Sequence, residues 1–150
     1  MAGIQDFQEY VDDFHGTSAT FPASADPATP WLVADTSAAG TPTYVRNAGN
    51  AVLTLSSTSE VQNVCLYHGD ALSFDIDDLQ RIEYRLKVTG CTTGTTITWG
   101  LASARNDTPA SMTALALFQM VGATSTTDVT VETDDNVTDT APVSSGSAQS

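Results

Sequence analysis

Cations are scarce in this chain. Five Lys and Arg stand against eighteen Asp and Glu, a formal net charge of -13. Phosphate backbones and anionic membrane surfaces are held by clustered cations, so neither nucleic acid nor a membrane is an expected partner. No apolar run is long enough to cross a bilayer. Met1 to Glu9 has no basic start followed by an apolar stretch, so it does not read as a signal peptide, and the expected site of synthesis is a cytoplasm. Only two cysteines occur, Cys65 and Cys91, far apart and outside any CxxC or Cys/His spacing. A zinc site is therefore not expected. Two free thiols are, with a disulfide left open for an oxidising setting. Aromatics make up 7 % of the residues, most of them needed in a core. No G-x-S-x-G elbow is present.

What the chain does have is strand pattern. Leu79 to Val88 alternates for ten residues, with Ile82, Tyr84, Leu86 and Val88 on one side and Arg81, Glu83, Arg85 and Lys87 on the other. Period two predicts a strand with one buried and one wet face, central to the fold. Three of the five Lys and Arg residues lie on its polar side.

Shorter strands are predicted around it. Residues 10–15 read as a strand ending at Gly16, and Thr17 to Pro30, with three prolines, as loop. Strands are expected at 31–34, 44–46, 51–56, 61–68, 72–76, 95–101 and 128–133. Asn47-Ala-Gly-Asn50 is a hairpin-type turn. Met112 to Val121 has helix-forming residues, but its length and its place among strands predict a buried strand. Trp99 shares a face with Ile97 and Leu101 and is expected in the core. The 23 Thr and 14 Ser suit exposed strand faces and turns. The fold class is all-β, an antiparallel two-sheet sandwich of the jelly-roll kind. Its organisation is an arm over 1–9, a sandwich domain over 10–136 and a flexible Ser/Ala-rich tail over 137–150. The tail offers no apolar face, so the sandwich is expected to be incomplete at its C-terminal end.

Candidate chemistry is thin. Asp75, Asp77 and Asp78, and the Asp134-Asp135-Asn136 run, could offer calcium oxygen ligands, but neither has the spacing of an EF-hand loop. Asp and Asn bond their own backbone in turns, so both read as solvated turns, and no metal or other cofactor is expected. His15 and His68 each sit beside a glycine at a predicted strand end and read as turn histidines. Glu83 lies between two arginines that favour its ionised form, the wrong state for a proton donor. No catalytic residue is nominated and the chain is not expected to be an enzyme. The triplets at Asn106 and Asn136 match the glycosylation pattern by chance.

Several segments together resemble a known family. They are Asp12-Asp13-Phe14, Leu66-Tyr67-His68-Gly69-Asp70, Phe74-Asp75-Ile76, Arg81-Ile82-Glu83-Tyr84-Arg85, Gly100 to Asn106, and Val131-Glu132-Thr133-Asp134-Asp135. The chain resembles the head-surface, or cement, proteins of tailed bacteriophages. That resemblance implies a concanavalin-like jelly roll on the outside of an icosahedral capsid, bridging capsomers. The implied partners are the major capsid protein and further copies of the chain, with a trimer favoured. The implied location is the virion, after assembly in host cytoplasm. Repetition would let many modest contacts act together.

Within that reading Arg81, Arg85 and Lys87 are candidate interface residues, with a solvated face as the rival. Ile4 and Phe7 of the arm are candidates for exchange between subunits. The alternative function is a carbohydrate-binding module on a phage tail or fibre, stacking sugars on Trp31, Tyr44 or Tyr67.

Overall fold

The computed structural model describes residues 11–15, 19–56, 60–69, 79–122 and 127–149. The arm with Ile4 and Phe7, the predicted strand at 72–76 and the aspartates 75, 77 and 78 lie outside the described residues. The protein is all-β, built of antiparallel sheets and compatible with a two-sheet sandwich. By contacts it divides into residues 1–68 and 69–150, a boundary inside the span read from sequence as one domain.

The first unit holds β1 (Ala19–Thr20), β2 (Leu32–Asp35), β3 (Thr43–Asn47), β4 (Asn50–Thr54) and β5 (Val64–Tyr67). They form a three-stranded sheet in the order β1-β3-β4 and a two-stranded sheet β2-β5. The β3–β4 hairpin turns through Ala48 and Gly49, with φ of 44° and 88°. Both central residues are left-handed, as a two-residue turn between right-twisted strands requires, and glycine takes the second at no steric cost. The chain after β1 ties the two sheets together. Phe21 N donates to Tyr44 O at 3.1 Å and Val33 N donates to Pro22 O at 2.8 Å. Phe21 and Val33, 4 % and 2 % exposed, are the apolar centre of this unit.

Two expectations for this unit fail. Residues 11–15 are not a strand. Asp12 Oδ1 accepts the Phe14 N–H at 2.8 Å, and Phe14 has a φ of 52°. An aspartate bonding its own backbone two residues on competes with a ladder, and here it prevails. The stretch read as loop contains β1, a two-residue strand that needs only the backbone of Val45 and Arg46 opposite it.

The second unit holds β6 (Thr96–Ala102), β7 (Leu115–Val121), β8 (Thr127–Asp134) and β9 (Asp139–Gln149), in the sheet order β6-β7-β8-β9. Each strand pairs with the next, antiparallel. β7 is the apolar run whose helix propensity was overridden. Leu115 and Leu117 are buried on one face and Met120 on the other, which a strand flanked on both sides satisfies. Trp99 lies on the Ile97 and Leu101 face, half-buried, its ring stacked on Phe118 at 5.8 Å and 14°.

Two further expectations fail here. Leu79 to Val88 carries the best strand pattern in the chain but is not a strand. Alternation specifies two faces, whereas a ladder also needs a second backbone. The residues expected to form a flexible tail include β9, which pairs with β8 along most of its length. Ladder hydrogen bonds come from the backbone, so a Ser- and Ala-rich sequence can supply them without an apolar face. Its register slips at two places, and Pro142 lies within it; bulges and proline are both characteristic of an edge strand.

Candidate functional site

Strand pattern without a strand makes 79–88 the first place to look for function. Among the described residues, no backbone hydrogen bond is made by 79–91. Ile82 and Leu86 are 42 % and 49 % exposed, while Tyr84 and Val88 are half-buried. Burial pushes the Tyr84 phenol pKa up. On the other side Glu83 is shared by two arginines: it pairs with Arg81 and, at 3.5 Å, with Arg85 Nε. All three side chains are half to nine-tenths exposed, so these pairs add little stability. Lys87 is exposed and makes no ion pair among the described residues. Arg81, Arg85 and Lys87 are thus all exposed along one segment.

The far edge of the β6–β9 sheet is its chemical complement. Asp128, Thr130, Glu132 and Asp134 alternate along β8 and share one face, and Asp139 of β9 stands directly opposite Asp134. Like charges directly opposite in a sheet destabilise it. The other face is apolar and open: Val131 pairs with Val143, and these are 36 % and 58 % exposed. The sequence shows each residue's parity in β8, but the pairing with β9 was invisible while 139–149 was read as tail.

The turn between these strands is built from its own aspartates. Asp134 Oδ1 accepts the Asn136 N–H at 2.7 Å. Asp135 Oδ1 accepts those of Val137 at 2.9 Å and Thr138 at 2.6 Å. The Thr138 and Val137 N–H groups hold the Asp135 carboxyl below its usual range. Oxygens already directed at the backbone make a turn of the kind the sequence predicts. Among the described residues, no group of three metal-ligating side chains occurs.

The other concentration of chemistry is an aromatic cluster in the first unit. Trp31 Nε1 donates to Asp12 Oδ2 at 2.5 Å. Its ring meets His68 edge-on at 4.3 Å and Phe14 at 5.4 Å, and Phe14 meets Phe21 edge-on at 5.9 Å. Edge-on contacts suit the opposed charges of ring face and ring edge. His68 follows β5 directly and is 9 % exposed, so it is a core residue rather than the turn histidine expected. His15, by contrast, is exposed and paired with Asp13 at 2.9 Å. The three sugar-platform candidates, Trp31, Tyr44 and Tyr67, are all half-buried.

Burial lowers the His68 pKa below its ordinary 6.5, against the opposing pull of Asp12. As pH falls, the unfolded chain therefore takes up the proton first. Stability is full above about 6.5 and declines as pH drops toward the lower folded-state value. Melting at pH 7.5 and 5.5 should show this loss, and His68→Gln should flatten the profile. An equal slope in the variant would assign the acid sensitivity elsewhere.

Cys65 and Cys91 form no disulfide among the described residues, and each is half-buried. Comparison of the chain with protein-family models, with curated proteins and with solved structures yields no match.

Proposed function

We propose that this chain is a non-enzymatic structural protein of a virion that decorates an icosahedral bacteriophage capsid and stabilises it by bridging capsomers. The observation that carries the reading is the 79–88 segment. It has the pattern of a strand, carries three of the chain's five cations and makes no backbone hydrogen bond among the described residues. A protein working alone gains nothing from an exposed segment with the sequence pattern of a strand; one that completes its contacts on a particle does. The acidic remainder of the chain disfavours binding of packaged or stray DNA. The glycan-binding alternative has less support, because the Trp31 indole is engaged by Asp12, Phe14 and His68.

The test is rebinding. Purified protein should associate with shells assembled from the major capsid protein encoded alongside it, and should raise the temperature at which those shells rupture. Retention on a glycan array without shell binding would overturn the proposal in favour of a carbohydrate-binding module.

A further inference from the structure

We infer that the 79–88 segment of one copy adds as an extra strand to the open β9 edge of a second copy. This deepens the reading of 79–88 as a contact surface and rests on it. The argument is the match of two pairs of faces. Ile82 and Leu86 are 42 % and 49 % exposed and Arg81, Arg85 and Lys87 are exposed too; laid out as a strand, the segment's parity puts the two apolar residues on one side and the three cations on the other. The sheet edge presents Val131 and Val143 on one face and Asp128, Glu132, Asp134 and Asp139 on the other. A strand laid beside β9, about 4.8 Å away, can put its apolar side next to Val143 and its basic side next to Asp139 in the same register. The opposed Asp134 and Asp139 carboxylates then gain cations near them, relieving a repulsion that the isolated chain retains. β9 has β8 on one side and, among the described residues, no strand on the other.

The occupant is a second copy rather than the chain's own segment. Residues 79–88 lead into β6, at the opposite edge of the sheet from β9. The connecting turn is held at the β6–β7 end, where Thr95 N donates to Thr92 O at 2.9 Å and Gly122 N donates to Thr95 O at 2.8 Å. In a chain of net charge -13, β8 and the first residue of β9 supply the acid that the basic stripe matches. Donor and acceptor surfaces differ, so the association ends in reciprocal exchange or a ring where the rotation closes and in an open filament where it does not.

A charge-swap experiment tests this on the full chain. One variant carries Arg81→Glu, Arg85→Glu and Lys87→Glu; the other carries Glu132→Lys, Asp134→Lys and Asp139→Lys. Wild type should self-associate in sedimentation velocity. Each variant alone should associate about 100-fold more weakly, since like-charge juxtaposition costs several kcal/mol. An equimolar mixture of the two should regain association. Hydrogen exchange on the unmodified protein adds a readout independent of variant folding: amides of 79–88 and 139–144 should slow as concentration rises. A monomeric wild type, a mixture that stays monomeric with both variants folded, or concentration-independent fast exchange at 79–88 would overturn the inference. Shell rebinding separates it from the proposed function. Shell binding by a monomeric wild type sinks the strand addition alone, and charge-swap rescue in a protein that never binds shells sinks the capsid reading alone.

Discussion

Replacing Gly100 with alanine is expected to lower the melting temperature of the β6–β9 sheet by roughly 6–12 °C, the equivalent of about 3 kcal/mol in a protein of this size. Gly100 lies within β6 at a φ of 146°, a backbone conformation that L side chains rarely adopt. A Cβ there would run into the carbonyl oxygen of Ala116 and come within 2.9 Å of the Leu117 Cα. Both obstacles are backbone atoms of the paired strand β7, so no side-chain rotation can make room. Strain at such a position costs about 1–3 kcal/mol, and overpacking a close contact adds about 1–3 kcal/mol more. Thr98→Ala, two residues earlier on the same strand, is the control and should change little. Thermal unfolding followed by circular dichroism measures both. A loss below about 1 kcal/mol for Gly100→Ala would mean that β6 and β7 are not held together as closely as the pairing of Gly100 with Leu117 requires.

The second large effect is expected at Trp31. Truncation to alanine removes the ring packed against Phe14 and His68 together with the indole N–H donated to Asp12. The expected cost is about 3 kcal/mol, the low end for a tryptophan because the ring is only half-buried. Asp12→Ala should cost about 1.5–3 kcal/mol, the range for a hydrogen bond to a charged group. The two losses should not add. Once the indole is gone, the Asp12 carboxylate has lost its bond to Trp31, the residue just before β2, and a double-mutant cycle should show at least about 0.5 kcal/mol of coupling. Trp31→Phe, which keeps a ring but loses the donor, should fall between wild type and Trp31→Ala. This series also decides between core residue and sugar platform. Unchanged melting with lost retention on a glycan array would put Trp31 on a binding surface.

Both effects depend on neighbours remote in sequence. Gly100 reads as an ordinary interruption of an alternating strand until β7 is placed beside it. Trp31 reads as the start of a short strand after Pro30, and nothing within ten residues of it names Asp12 or His68 as its contacts. The predicted interface cations fare differently. Arg81, Arg85 and Lys87 are all exposed in the structure, and Arg81 and Arg85 share Glu83, a contact two residues away on either side that the sequence spacing already allows. The carboxylates of β8 likewise share a face by parity, but that Asp139 stands opposite Asp134 and Val143 opposite Val131 depends on the pairing of β9 with β8.

The sequence by itself determined the all-β class, the hairpin at Asn47 to Asn50, β7 as a strand despite its helix-forming residues, and the self-bonded turn at Asp134 to Asn136. Each rests on periodicity, on a left-handed turn position or on a side chain bonding its own backbone, and all of these act within a few residues. Tertiary structure alone decided that the most strongly alternating segment stays out of the sheet, that the Ser- and Ala-rich C-terminal stretch enters it, and that His68 is a core residue. The reason is physical. Side-chain alternation says which way each residue faces, while the ladder is made by backbone N–H and C=O groups that every non-proline residue carries alike. Which two backbones meet is therefore settled by the packing of the whole unit, where a strong pattern finds no partner at 79–88 and a weak one finds β8.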